Sequence, residues 1–357
     1  MHEMAERKNI AALAVHFTAG VAAGTLLLRL PGSLWFLSGG TLLLLVTLLL
    51  LVLGRERNRL LFPVFLVCGA FCALNDAFAG PGPVLTQWAS APAERLRAFI
   101  DSIPFPSDST APLLKAFLTG DRSGLSRDTV QAFRGSGASH LLALSGLHMG
   151  ILYLLLSRLL WPLGNSLTVK RIRYVLTLLA AGFFTLMTGA SPSIVRAFLF
   201  IVLNETARLT GRPRKPLRIF STALLIQLVL SPSVLGTVGF QLSYLAMAGI
   251  FLLYPRLEAW YPAGLRIDPL RRIWQAAALS ISCQVFTGPL AWYRFHTFPP
   301  YFLLTNLLAL PLTTVLMGTA VATLLLQGLG CCPVLLIQAT DALARALVWM
   351  LGIISSM

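Results

Sequence analysis

The chain has 357 residues, of which 56% are hydrophobic and only 11% charged, and its formal net charge is +15. With a mean hydropathy of +0.77, that balance excludes an ordinary soluble domain and places the chain among polytopic membrane proteins. The positive charge does not by itself name a polyanionic partner, because cytoplasmic loops of any membrane protein gather Lys and Arg.

Taken in order, the apolar runs predict an all-α polytopic membrane fold of about 11 transmembrane or re-entrant helices, with one external amphipathic-helix segment. Residues 10–28, 34–53 and 60–79 give the first three spans. The first is read as uncleaved, because His16 and Thr18 interrupt its apolar run and another span follows at once. From Gly80 to Gly137 the apolar pattern stops, punctuated by Pro81, Pro83, Pro92, Pro104, Pro106 and Pro112. Residues 88–100 suit a helix at the membrane interface. Residues 112–119 read as a short helix ended by Gly120. Ser126 reads as the N-cap of a second helix over 127–134, with Asp128 in its first turn. Later spans fall at 138–160, 174–188, 192–209, 219–230, 238–254, 273–293, 301–327 and 334–354. The run at 219–230 is short enough to be re-entrant, and Pro311 is expected to break the helix at 301–327.

The basic residues orient this map. With the N-terminus cytoplasmic, 18 of the 28 Lys and Arg fall in cytoplasmic segments and eight outside. The split follows the positive-inside rule and leaves the C-terminus external. Cys68, Cys72, Cys283, Cys331 and Cys332 form no metal or disulfide pattern.

The stretch from Gly137 to Gly150 stands apart. It opens an apolar run yet carries Ser139, His140, Ser145 and His148 beside Gly137, Gly146 and Gly150. On one continuous helix, His140 and His148 would sit about 80° apart and Ser145 roughly 60° beyond His148. That pattern fits either close helix packing or a polar lining, since polar groups at membrane depth face protein or water. Arg196 comes about one turn after Pro192, a residue suited to the first turn of a helix. A guanidinium there needs water, an acid or a phosphate, or must snorkel to the headgroups. Asn204 lies two turns on, Gln241 and Tyr244 share a face, as do Ser280 and Gln284, and Asn306 precedes Pro311. These could form an uncharged polar path or simply bond between helices. Asp341 and Arg345, at i, i+4 on the last span, read as an intrahelical ion pair. Arg122, Arg127 and Arg134 are the external set suited to a polyanion, with Phe105, Phe117 and Phe133 as stacking faces. The alternative is a solvated cap in which Asp121, Asp128 and Arg127 pair with one another.

Gly120-Asp-Arg-Ser-Gly-Leu-Ser126, Ala132-Phe-Arg134 and His140-Leu-Leu-Ala-Leu-Ser-Gly-Leu-His148 resemble the competence domain of the ComEC family. Further matches follow in order at Thr188 to Arg196, Ser231 to Val234, Gly239 to Tyr244 and Asn306 to Pro311. The resemblance spans residues 95 to 330. It implies an inner-membrane channel through which competent bacteria take up single-stranded DNA. On that basis the chain divides into a three-helix region at 1–80, the external segment at 81–137, a channel domain at 138–330 and a last helix at 331–357. The proposed strand path is His140, Ser145, His148, Arg196, Asn204, Gln241, Tyr244, Gln284 and Asn306, with Arg122, Arg127 and Arg134 at its outer mouth.

No Gly-x-x-x-x-Gly-Lys-Ser/Thr loop is present, and His2, His16, His140, His148 and His296 do not cluster. No catalytic residue, metal or cofactor is therefore expected. Many ComEC-like proteins carry a soluble nucleic-acid-binding-type domain and a metallo-β-lactamase-like nuclease domain. Here only residues 80 to 91 occupy the first position and the chain stops at Met357. A separate nuclease and a cytoplasmic ATPase are then expected partners, besides the strand and membrane lipid; the oligomeric state stays open. Two alternatives compete with the channel. One is a transporter or scaffold of the same fold with another cargo. The other is an intramembrane serine hydrolase using Ser145 and His148, for which no acid is placed to orient the histidine.

Overall fold

The computed structural model describes residues 2–28, 57–79, 85–164, 166–261, 268–296 and 299–357. The expected span at 34–53 lies outside them. Every described element is a helix, and no strand occurs among the described residues. Among the described residues, four helices are long and apolar enough to cross a membrane: Ile10–Leu27, Gly146–Leu163, Phe302–Gly328 and Val334–Ser356. Leu61–Leu74, Pro216–Leu230 and Val238–Leu252 are apolar but shorter.

The described residues form two compact units, which interleave along the chain instead of following it section by section. The first holds residues 1–84 and 198–241. In it α1 (His2–Leu27) packs along α2 (Arg57–Ala79). The contact is backbone to backbone: a Cβ on Gly20 would overlap the Leu66 carbonyl, and one on Gly69 the Phe17 carbonyl. Small residues at such crossings let membrane helices gain dispersion contacts that apolar solvent cannot supply. The Asp76 carboxylate accepts the Ser233 N–H at 3.2 Å, fixing a short 3₁₀ turn.

The second unit holds residues 85–197 and 242–357. Its chain begins with α3 (Leu85–Asp101), α4 (Thr110–Thr119) and α5 (Arg127–Gly135). Gly120 closes α4 at φ 78°, a left-handed position that costs glycine nothing, and its N–H bonds Ala116. Ser126 opens α5, its hydroxyl accepting the Thr129 N–H at 3.1 Å. Then come α6 (Ser139–Leu142), α7 (Gly146–Leu159), α8 (Leu167–Met187), α9 (Pro192–Leu209), α10 (Pro216–Leu230), α11 (Val238–Leu252), α12 (Tyr254–Glu258), α13 (Pro269–Phe295), α14 (Phe302–Gly328) and α15 (Val334–Ser356). α10 belongs wholly to the first unit, and the boundary between units falls within α9 and within α11.

Two expectations are corrected. The run at 138–160 is not one helix: Ala143 (ψ 129°) and Ser145 (ψ 168°) are extended, so α6 and α7 are separate. Hydropathy is continuous there, but Ser145 satisfies the α7 N-terminus so well that the helix starts afresh. Conversely, α14 runs unbroken through Pro311. Proline removes one backbone bond, and neighbouring helices hold the rest of the helix in line.

The core of the second unit joins α4, α5 and α6 to the α14/α15 pair. Leu113, Leu114, Phe117, Ala132, Phe133 and Leu141 are buried with Leu316, Met317, Ala320, Ala344, Leu347 and Leu351. Phe117 and Phe133 are completely buried and meet edge to face, 6.3 Å between centroids, so neither offers a stacking face. Phe105 is only partly buried against the same core. Arg173, just before the expected span at 174–188, is buried. Its Nη2 donates to Leu160 O at 3.0 Å and Gly164 O at 2.8 Å, closing the C-terminal end of α7. Asp268 caps α13. The Tyr261 hydroxyl and the Leu270 and Arg271 N–H groups that it accepts hold its carboxyl below the usual range.

Candidate functional site

Two sequence motifs meet in the second unit. The first is Ser145-Gly-Leu-His148. Ser145 caps α7: its hydroxyl accepts the Leu147 N–H at 3.2 Å, and His148 Nδ1 accepts the Ser145 N–H at 3.2 Å. This is a reciprocal capping box with histidine in the usual Glu position. Because Nδ1 is an acceptor, the proton sits on Nε2, which is buried and finds no partner. The ring is fully buried, 5.5 Å from the Phe117 ring.

The second motif, Thr188-Gly-Ala-Ser-Pro-Ser-Ile-Val-Arg196, is a helix end, a reversal and a helix start. Ala190 N–H bonds Thr185 O at 2.9 Å and Gly189 N–H bonds Leu186 O at 3.0 Å, ending α8. Gly189 (φ 75°) and Ala190 (φ 50°) both take left-handed backbone. For Ala190 that costs about 1–2 kcal/mol, so the reversal is held by its surroundings. Ser191 accepts the first α9 bonds from Ile194 and Val195 through its carbonyl. Its hydroxyl is buried and unpartnered.

Arg196 brings the motifs together. Its Nη2 would lie 3.3 Å from a Cβ on Gly146, and Ala197 Cβ 3.6 Å, so the second turn of α9 packs against the N-terminus of α7. The guanidinium carbon is 5.7 Å from the centre of the Tyr244 ring. Nη1 is buried without a hydrogen-bond partner, and no carboxylate among the described residues pairs with Arg196. A guanidinium near two helix N-termini makes a strongly electropositive spot, since each terminus carries about half a positive charge. Chemically, the arrangement suits an anion with several acceptor oxygens. Gly146 leaves room for Arg196.

The other expected path residues are described within their own units. His140 is exposed on α6, with Nδ1 3.2 Å from Gly137 O. Gln241 donates to Leu235 O at 2.8 Å, which bonds it locally. Asn204 and Asn306 are half-buried. Gln284 lines an apolar cleft of about 410 Å³ with Ile281, Val285, Trp292 and Phe302. Arg122, Arg127 and Arg134 are exposed. Asp121 bonds Ser123 and lies 3.6 Å from Arg97, not paired with Arg127 as the alternative of a solvated cap has it.

The Asp341–Arg345 pair is present at 2.9 Å, but Asp341 does more. Completely buried, it also accepts the Ser107 N–H at 3.0 Å and the Thr110 hydroxyl at 2.7 Å. Sequence reasoning missed those partners, and Ser191 too. Only the serine could have been found, as the residue before a proline that opens a helix.

The family description "Competence protein" matches residues 117–357, which takes in both motifs and Arg196. The chain belongs to that family. This competence-family chain is similar to ComE operon protein 3 of Bacillus subtilis (strain 168), with 28% identity over 232 residues, 64% of this chain and 28% of that protein. It is similar to competence protein ComA of Neisseria gonorrhoeae, with 30% identity over 208 residues, 56% of this chain and 28% of the relative. It also matches the uncharacterized protein YcaI of Escherichia coli (strain K12), with 25% identity over 201 residues, 55% of this chain and 26% of YcaI. The chain therefore spans little more than a quarter of each of these relatives. No solved structure matches. Membership and the long apolar helices together fit a membrane protein. Among the described residues no group of three His, Cys, Asp or Glu could hold a metal ion.

Proposed function

We infer that this chain is the core of an inner-membrane channel admitting single-stranded DNA, and that it moves the strand without chemistry of its own. The observation that carries this reading is Arg196: a partly buried guanidinium whose Nη1 has no hydrogen-bond partner, beside the N-terminus of α7, in a competence-family membrane protein. A phosphodiester passing there would take the hydrogen bonds that Nη1 lacks, then leave, because a single cation binds it only transiently. Ser145, His148 and Tyr244 hold the walls of that spot. His140, Asn204, Gln241, Gln284 and Asn306 are polar positions along the remaining path, and Arg122, Arg127 and Arg134 meet the strand first. The multi-pass arrangement has a cytoplasmic N-terminus and an external C-terminus. A cytoplasmic ATPase supplies the pull and a separate nuclease removes the second strand.

One observation favours a hydrolase: Ser145 Oγ lies 3.1 Å from His148 Nδ1, within reach for a nucleophile and base. The cap accounts for that contact fully. Nδ1 already accepts a backbone N–H, and no third group orients the ring through Nε2.

Deleting the gene and following labelled DNA tests the reading. Uptake should stop while DNA still binds the cell surface. Undiminished uptake of strand into the cytoplasm would rule the channel out.

A further inference from the structure

The segment between Phe99 and Gly137 runs along the α14/α15 pair from one end to the other. At one end, a Cβ on Gly328 would sit 4.0 Å from the Phe99 ring. Next, Ser107 and Thr110 bond Asp341, two turns into α15. At the far end, a Cβ on Gly135 would overlap the Ser355 side chain, and Thr305 donates to Ser136 O at 2.7 Å. Thr305 and Gly328 lie about 34 Å apart along α14 at 1.5 Å per residue, roughly the thickness of a bilayer core. Both α14 and α15 are long and apolar enough to cross a membrane. The segment beside them therefore changes depth by that same distance, as two short helices and a loop.

The side it turns away from the hairpin is charged. Thr129, Ala132 and Phe133 of α5 are buried, while Arg127, Asp128, Gln131 and Arg134 are exposed. The loop before α5 exposes Arg122, and the side chain of Arg345 on α15 is 60% exposed. Charged side chains at membrane depth do not face lipid; they face water or partners. Arg122, Arg127 and Arg134 have no carboxylate partner among the described residues. Of the two nearby acids, Asp121 is engaged by Ser123 and Arg97.

We propose that residues 99–137 cross the bilayer beside the α14/α15 hairpin, and that the exposed face of α5 lines a water-filled cleft that takes the phosphates of a single DNA strand. The polar loop is then wall instead of external cap, its two ends on opposite sides of the bilayer. The strand as occupant rests on the channel reading above and on the surplus of arginine; the crossing and the water do not.

Cysteine labelling in the full chain tests the proposal, with the five native cysteines replaced by serine and transport checked. Ser102→Cys, Gln131→Cys and an apolar reference, Leu179→Cys, in the expected span at 174–188, sit at exposed positions. A membrane-impermeant maleimide is applied to either face in right-side-out and inverted vesicles. Ser102→Cys and Gln131→Cys should label from opposite faces, the latter roughly tenfold faster than Leu179→Cys because its thiol meets water. A single-stranded oligodeoxynucleotide should slow the Gln131→Cys reaction severalfold. Labelling of Ser102 and Gln131 from the same face would overturn the crossing. A Gln131→Cys rate equal to that of Leu179→Cys would overturn the water-filled cleft. Fast labelling that the oligonucleotide leaves unchanged would overturn the cleft as the strand's site. Failure of the channel reading itself is seen separately, as uptake that survives deletion of the gene.

Discussion

The hydroxyl of Thr110 donates to the carboxylate of Asp341 at 2.7 Å, across 231 residues of sequence, in a place where Asp341 has no exposure at all. What reads from sequence as an ion pair within the last helix is thus a clamp holding the 103–110 turn. Asp341→Ala should lower the thermal stability of the purified chain in detergent by about 1–3 kcal/mol, because two donors lose a buried acceptor. Asp341→Asn keeps one oxygen for them and should cost less. Arg345→Ala should cost least, since the arginine is mostly exposed and the carboxylate keeps its other donors. Equal losses for all three would contradict the clamp.

Ser145→Ala removes an N-cap and should destabilise α7 by about 0.5–2 kcal/mol without abolishing any catalytic activity. His148→Gln retains an acceptor at the same helical position and should be milder than His148→Ala. A fluorophosphonate probe reports on the rival reading. Labelling of Ser145 that vanishes in Ser145→Ala would mean that the pair is a working nucleophile and base.

Gly146 gives Arg196 its place. A methyl there meets only the tip of a flexible guanidinium at 3.3 Å, so Gly146→Ala should accumulate normally with transport reduced severalfold. Gly146→Val fills the space and should transport no better than Arg196→Ala while still reaching the membrane. Full transport by Gly146→Val would separate Arg196 from the strand's path.

Binding of a single-stranded oligonucleotide to the chain in nanodiscs should weaken with salt. Each of Arg122→Ala, Arg127→Ala and Arg134→Ala that removes a phosphate contact should lower the slope of log affinity against log salt by about 0.7. Slopes unchanged in all three variants would remove these residues from the strand's approach.

Local chemistry was legible and long-range chemistry was not. Gly120 and Ser126 announce the ends of α4 and α5 because the reasons, a left-handed backbone and a hydroxyl cap, lie within four residues of each other. Pro192 likewise announced α9 and with it the depth of Arg196. The break at Ala143–Ser145 was missed because an apolar run hides a cap whose N3 acceptor is histidine in place of glutamate. The burial of Phe117 and Phe133 escaped because their partners on α14 and α15 lie some 200 residues on. No periodicity near residue 110 points to Asp341, and none near 146 points to Arg196.

The most direct measurement is transport of labelled single-stranded DNA by cells carrying Arg196→Ala, Arg196→Lys or the unaltered chain, at matched membrane levels. The lysine keeps the charge but not the planar fork that suits a phosphate. The account predicts near-complete loss for Arg196→Ala, an intermediate rate for Arg196→Lys, and DNA binding at the outer surface unchanged in both. Transport by Arg196→Ala equal to that of the unaltered chain would contradict it.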